Sequence, residues 1–207
     1  MKKVISISAV CLVVLMGVFC LASCGALDFA KQIRESVAYP SEYLIEYQIT
    51  NEDGTVTSIS KGVDAYGNCY YKDSSAEYIF VKKNVAYEEY QCIDGTWIKT
   101  GNQYTEAKVN ELTENFDTYA EKSREKFNGQ YQELGQKTHL GKVCTEYTLK
   151  LKIGTFEQTY DMLIENETGI CLKYSGISTV SSFETQKVGF ECVKFETKDL
   201  NLSTLLA

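Results

Sequence analysis

Val143-Cys144-Thr145-Glu146-Tyr147-Thr148-Leu149-Lys150-Leu151 places Val143, Thr145, Tyr147, Leu149 and Leu151 at alternate positions, with Cys144, Glu146, Thr148 and Lys150 between them. A side-chain period of two is that of a strand with one face buried and one wet. The pattern spreads in both directions. Downstream, Phe156, Tyr160, Met162 and Ile164 repeat it. Asn166-Glu167-Thr168-Gly169 supplies a turn, and strands are expected near 170–180 and 183–197. Upstream, Tyr43, Ile45, Tyr47 and Ile49 share one face against Glu46 and Gln48, followed by turn residues Asn51-Glu52-Asp53-Gly54. Strand-like runs continue at about 55–61, 63–72, 77–83, 85–93 and 96–100, with Asp94-Gly95 as a two-residue hairpin turn.

Two segments break this period. From Ala26 to Ala38 apolar residues recur at helical spacing until Pro40, which predicts a short helix. Between Thr105 and Asn128 the stripe Val109, Leu112, Phe116, Tyr119, Ser123 and Phe127 predicts one long helix, with Glu106 in its first turn, Arg124 and Lys126 in its last, and Gly129 as the stop. Helix, meander, long helix, meander is the order of an antiparallel α+β domain rather than of a doubly wound nucleotide fold. No Pro/Gly linker interrupts residues 41–200, which read as a single domain, with 201–207 as a C-terminal tail.

The first 24 residues give an address. Lys2 and Lys3 precede an uncharged stretch that is strongly apolar from Val10 to Leu21, and Leu21-Ala22-Ser23-Cys24 follows. This is the layout of a secretory signal over residues 1–23, and its ending resembles the bacterial lipobox, in which the Cys is acylated and becomes the new N-terminus. An uncleaved span would account for the apolar run but not for Leu-Ala-Ser placed directly before a Cys. Two acyl chains on Cys24 would hold the protein stably to the extracytoplasmic face of a membrane. Residues 24–40 then comprise the lipidated terminus and the short helix. The net charge of −7 becomes two units more negative once Lys2 and Lys3 are removed. Such a chain has no basic footprint for nucleic acid.

Five Cys remain in the body: Cys69, Cys92, Cys144, Cys171 and Cys192. An odd number leaves at least one unpaired, and the absence of a Cys-x-x-Cys speaks against a zinc site. A hairpin centred on Ser181-Ser182 would set Cys171 opposite Cys192. That pair alone is placed for a disulfide; the alternative is five free thiols acting as small hydrophobes.

Catalytic patterns are missing. The one histidine, His139, lies five residues before Cys144, but His139-Leu140-Gly141-Lys142 reads as a turn, with no orienting acid nearby to complete a Cys-His pair. There is no Gly-x-Ser-x-Gly, P-loop or dinucleotide fingerprint. Glu111, Glu114, Asp117 and Glu121 on the long helix read as a solvated face rather than a cation site. Neither a cofactor, a metal nor an enzymatic activity is expected. The feature that points to binding is aromatic: fifteen Tyr, nine Phe and Trp97 would give a curved sheet an apolar face needing cover. If the helix stripe Leu112, Phe116 and Tyr119 leaves space above Trp97, Tyr147, Leu149, Tyr160 and Met162, a hydrophobic ligand has a cavity; otherwise the core is solid.

Thr138-His139-Leu140-Gly141-Lys142-Val143-Cys144-Thr145-Glu146-Tyr147 resembles the Gly-Lys-x-Cys-x-x-Tyr strand start of the LolA-like superfamily, which includes outer-membrane lipoprotein carriers. Asp161 to Tyr174, with Glu167-Thr168-Gly169 at its turn, is similar to that family's strand-turn-strand segment, although Met162 and Leu163 stand where many members have Trp. The resemblance implies a strongly curved antiparallel sheet, an incomplete barrel, with helices over a concave face that takes up acyl chains or serves as an envelope sensor. The expected function is therefore a membrane-anchored lipoprotein that binds a lipid or acyl chain without catalysis. The alternative is an envelope interaction or sensor lipoprotein with a filled core and a protein partner.

Overall fold

The computed structural model describes residues 37–120, 131–180 and 183–206. The signal, Cys24, most of the expected first helix, and Ser123, Arg124, Lys126, Phe127 and Gly129 of the expected long helix lie outside the described residues, as do Ser181 and Ser182. Val37 to Pro40 are not helical.

Eleven strands form one antiparallel sheet: β1 (Tyr43–Thr50), β2 (Val56–Val63), β3 (Cys69–Lys72), β4 (Glu77–Lys83), β5 (Ala86–Ile93), β6 (Thr96–Tyr104), β7 (Gln132–His139), β8 (Lys142–Ile153), β9 (Phe156–Glu165), β10 (Cys171–Val180) and β11 (Phe183–Glu196). The order across the sheet is β6-β5-β4-β3-β2-β1-β11-β10-β9-β8-β7. Two meanders are thus joined where β1 pairs with β11, Tyr47 opposite Cys192. The sheet curls without closing, so β6 and β7 remain as edges.

Turn chemistry sets the register. Asp94 (φ 51°) and Gly95 (φ 77°) both adopt the left-handed conformation of a tight hairpin turn between Ile93 and Thr96. Leu140 (φ 50°) and Gly141 (φ 75°) do the same between His139 and Lys142. β7 was not foreseen, because Gln132-Glu133-Leu134-Gly135-Gln136-Lys137-Thr138-His139 has almost no apolar alternation. It is an edge strand held by backbone pairing to β8.

The expected inward face is largely met. Tyr43, Ile45, Tyr47, Tyr147, Leu149, Met162 and Ile164 are all buried in one core cluster. Val143 departs from it and is exposed, whereas Cys144 is fully buried. The β7–β8 turn here reaches across to β11: the Lys142 ammonium lies 4.9 Å from the Phe195 ring, and His139 Nε2 lies 2.8 Å from the Cys192 carbonyl oxygen. A carbonyl only accepts, so Nε2–H is the donor. His139 therefore faces a backbone carbonyl, and no Cys-His pair forms.

The Cys171–Cys192 disulfide is also corrected. All five body cysteines are free. The register shifts by one residue between Ser178 and Thr179, so Lys173 pairs with Glu191 and Tyr174 with Phe190, and Cys171 falls out of line with Cys192. The Cys192 thiol is pushed up to about 12, first by burial, and Cys69 to about 11 for the same reason. These are inert thiols that pack as apolar groups.

Among the described residues the expected long helix over 105–128 is broken into two short ones, α1 (Glu106–Leu112) and α2 (Glu114–Ala120). Thr105 caps α1, its side chain accepting from the Lys108 amide. Thr113 ends it: the Thr113 hydroxyl donates back to the Asn110 carbonyl at 3.2 Å, competing with the helical ladder. Thr113 is fully buried as a result, and Leu112 is turned outward, 40% exposed. The expected tail carries a 3-10 helix, Leu202–Leu206. It is tied in where the Leu202 amide donates to the buried carboxylate of Asp64 at 3.0 Å.

One buried acid makes the β9–β10 turn sensitive to pH. Burial works to raise the Glu165 carboxyl, but the Thr168 hydroxyl, the amides of Glu167 and Thr168 and the Lys142 charge together hold it below the usual carboxylate range. A depressed folded value contributes stability above the ordinary Glu value of 4.5. That contribution is lost as pH falls through the lower folded value. Urea unfolding of Glu165→Gln should show a loss of about 1–3 kcal/mol at pH 7 and a smaller decline toward pH 3 than the parent. Equal declines would show that the acid sensitivity arises elsewhere.

Candidate functional site

The site is built on the concave face around α2. Phe116 projects down from α2 and is fully buried, its ring centroid 5.3 Å from that of Tyr47. Tyr47 in turn meets Phe190 edge-on at 5.2 Å. Phe190 stacks on Tyr174 at 5.6 Å and takes the edge of Tyr119 at 5.5 Å. Tyr174 stacks on Tyr160 at 6.2 Å. These offset and T-shaped contacts, each worth about 0.5–1.5 kcal/mol beyond burial, make one aromatic sequence from α2 across β1 and β11 to β9. Buried Tyr47 donates to the Cys171 carbonyl at 2.9 Å. Burial pushes its hydroxyl, and that of Tyr174, well above the ordinary tyrosine value, so both remain neutral donors.

Polar contacts fix the helix on this face. Lys61, buried on β2, donates to both carboxylate oxygens of Asp117 at 2.8 and 3.0 Å. The Tyr39 hydroxyl donates to the same carboxylate at 3.1 Å. Asp117 therefore points inward to a buried lysine rather than into a solvated acidic face. Among the described residues no cluster of His, Cys, Asp and Glu is arranged to hold a metal ion.

Open space lies beside α2, in two adjoining chambers that share Ile49, Thr118 and Tyr119. The first, about 370 Å³, is completed by Thr57, Ser58, Ile59, Tyr71, Asp73, Ser74 and Asn115. The second, about 320 Å³, runs over Thr50, Asn51, Glu52, Tyr174, Val188, Gly189 and Phe190. Both are of the size of small ligand pockets. Gly189 makes the floor of the second possible, because a Cβ there would come 2.6 Å from the Tyr174 carbonyl oxygen. A third hollow, about 540 Å³, is lined by Gln132, Leu134, Thr148, Lys150, Thr159 and Asp161. Its β8 and β9 residues alternate with the core residues Tyr147, Leu149 and Met162, so it belongs to the outer face.

The structure divides the expected binding residues. Phe116, Tyr147, Leu149 and Met162 meet in the core, with Tyr119 and Tyr160 packed against it. There the core is filled rather than hollow, and the space opens beside Tyr119 instead. Leu112 is excluded by the break at Thr113. Trp97 is excluded by topology, since β6 is one edge of the sheet and β8 lies next to the other. Trp97 sits half-buried opposite Cys92, outside the core cluster. Tyr71, Asp73, Asn115, Tyr174, Val188 and Phe190 were not foreseen as lining. A glycine inside a strand, Gly189, was the available signal of close backbone approach.

No protein-family model matches the chain, and comparison with curated protein sequences gives no match. Several solved structures are similar. MucB is 11% identical over 88% of this chain and 62% of its own, with a TM-score of 0.42. The chain thus spans about three-fifths of MucB's length. LprF from Mycobacterium bovis is 9% identical over 84% of this chain and 95% of its own, at a TM-score of 0.40. A LolA superfamily protein from Nitrosomonas europaea is 9% identical over 85% and 94%, at a TM-score of 0.27.

The ion pair beneath α2 yields a test of how the site is held. Asp117→Asn leaves the Lys61 charge buried and uncompensated, at an expected cost of about 3 kcal/mol in chemical unfolding. The double substitution Lys61→Met with Asp117→Leu should recover most of that loss. A double variant as unstable as the single one would mean that Asp117 acts through another contact.

Proposed function

We propose that this protein is a non-catalytic lipoprotein, anchored by acylated Cys24 to the extracytoplasmic face of a membrane, that binds a hydrophobic ligand in the groove beside Tyr119. The observation that carries this reading is the pair of open chambers on an otherwise filled concave face, floored by Ile49, Ile59, Val188 and Phe190. An apolar floor that no described residue covers, on a domain that otherwise packs its aromatic residues, supports a binding surface.

The position of the groove supports the anchor geometry. The chain enters the sheet at the start of β1, where the Ala38 amide donates to the Thr168 carbonyl. The chambers lie by the β1–β2 and β3–β4 turns, at the opposite end of strands about 25 Å long. Residues 25–36 span about 40 Å at most, which keeps the anchored domain close to the lipid headgroups.

The reading with a protein partner draws on the filled core beneath Phe116. One experiment separates the two. The chain from Gly25 onward contains all eleven strands and should be purified without detergent, then examined by native mass spectrometry with lipid extraction. A co-purifying lipid, reduced in Tyr119→Asp with the circular dichroism spectrum retained, is the expected result. A clean apo mass with no uptake of a fluorescent fatty-amine or neutral probe would shift the function to a protein partner. In parallel, Cys24→Ser in the full chain should release the protein from the membrane fraction.

A further inference from the structure

The two chambers differ in chemistry, and the difference assigns a polarity to the ligand. In the second chamber Ile49, Tyr174, Val188 and Phe190 form an apolar strip suited to an alkyl chain, with Thr50, Asn51, Glu52 and Thr118 making up the polar part of the wall. The first has a built polar wall. There Asn115 hydrogen-bonds the Tyr71 hydroxyl, and that hydroxyl donates to Asp73 Oδ2 at 3.2 Å. Asp73 Oδ1 is held by the Ser75 amide and hydroxyl and by the Ala76 amide at 2.7–2.9 Å. Oδ1 is thus saturated, whereas Oδ2 accepts from the Tyr71 hydroxyl and keeps further lone-pair capacity toward the chamber. Burial raises the Asp73 carboxyl, but these donors outweigh it and hold it below the ordinary value, so it is an anion at neutral pH.

The charged lining residues of the two chambers are Asp73 and Glu52; no Lys or Arg lines either one among the described residues. A carboxylate or phosphate head placed against Asp73 would be desolvated beside a fixed negative charge, a costly arrangement. An ammonium or hydroxyl head would instead complete the hydrogen bonding of Asp73. Resting on the groove reading above, we propose that the ligand is an amphiphile with a hydrogen-bond-donating, non-anionic head group. Its chain lies along Tyr174, Val188 and Phe190, its head meets Asp73 and Tyr71, and Tyr119 stands between the two. Anionic amphiphiles of equal chain length are rejected.

The test uses three probes of equal chain length below their micellar concentrations: dodecylamine, monododecanoylglycerol and dodecanoate. Each competes with the neutral fluorophore N-phenyl-1-naphthylamine on the chain from Gly25 onward at pH 7.5. Dodecylamine is expected to bind at least tenfold more tightly than dodecanoate, with the monoglyceride between them. Asp73→Asn keeps an acceptor for the turn amides and should cut the amine preference to less than threefold. Ser74→Lys, at an exposed position of the same wall, should bring dodecanoate level with the amine. Glu111→Gln, on the exposed side of α1, controls for net charge and should leave the ratio unchanged. Dodecanoate binding within threefold of the amine in the parent would overturn the polarity while leaving the groove in place. A preference unmoved by Asp73→Asn and Ser74→Lys would overturn the placement of the head. No displacement by any probe would overturn the groove reading as well.

Discussion

Phe116 against Tyr47, with Lys61 locked to Asp117 one residue along, is the contact that makes the concave face a folded interior. Helices of seven residues are far too short to persist alone in water, because nucleation costs more than so few turns return. α1 and α2 therefore exist through what they bury: Val109, Phe116 and Ala120. The ion pair adds direction to that burial. Lys61 has little exposure of its own, 7% of its side chain, and its ammonium is paired with the Asp117 carboxylate, so α2 settles where Asp117 satisfies it. Once α2 is fixed, Tyr119 is delivered to the edge of Phe190, and the two chambers follow as the spaces on either side of that ring.

An eleven-stranded sheet that curls without closing has two edges to protect. β6 carries the Lys99–Glu88 pair and a register shift between Glu88 and Tyr90, and β7 carries Lys137–Glu146 and a shift between Glu133 and Gly135. Exposed ion pairs of this kind add little stability. Their effect is on association, since charges and bulges on an edge deny a flat template to another strand. The same bulges help the sheet curl, and the curl brings Lys142 and His139 of the β7–β8 turn onto β11, sealing the concave face at the end where the chain enters.

Strand periodicity was legible in the sequence wherever one face of a strand was dry and the other wet, and β4, read at 77–83, came out at those residues. What could not be read is whatever a single residue decides. The shift at Ser178/Thr179 turns an apparent Cys171–Cys192 pair into two isolated thiols, and nothing local in Ser-Thr announces it. The bulge opposite Glu46/Tyr47 similarly lets Cys192 and Phe195 both face the core although they are three apart. Thr113 breaks a helical stripe that Leu112 fitted perfectly by spacing. β7 lay hidden because an edge strand needs only backbone partners. The lining of the concave face was legible in part for the same reason: face membership follows from period, whereas the place where a covering helix leaves space depends on its break and its anchoring lysine.

The heavy use of tyrosine in place of phenylalanine suits a face that is open to water in part. A groove walled by Phe and Leu alone would present water with an apolar surface and invite association. Tyr71 and Tyr119 line the open chamber, and the Tyr71 hydroxyl stays hydrogen-bonded to Asp73 there. Deeper in, the hydroxyls of Tyr39 and Tyr47 are spent on Asp117 and on the Cys171 carbonyl, and no buried side-chain nitrogen or oxygen among the described residues is left without a partner. The polar demand of the core is thus met internally. At the groove the Asp73 carboxylate, both of its oxygens already accepting hydrogen bonds, stands in the same open space as a strip of apolar wall.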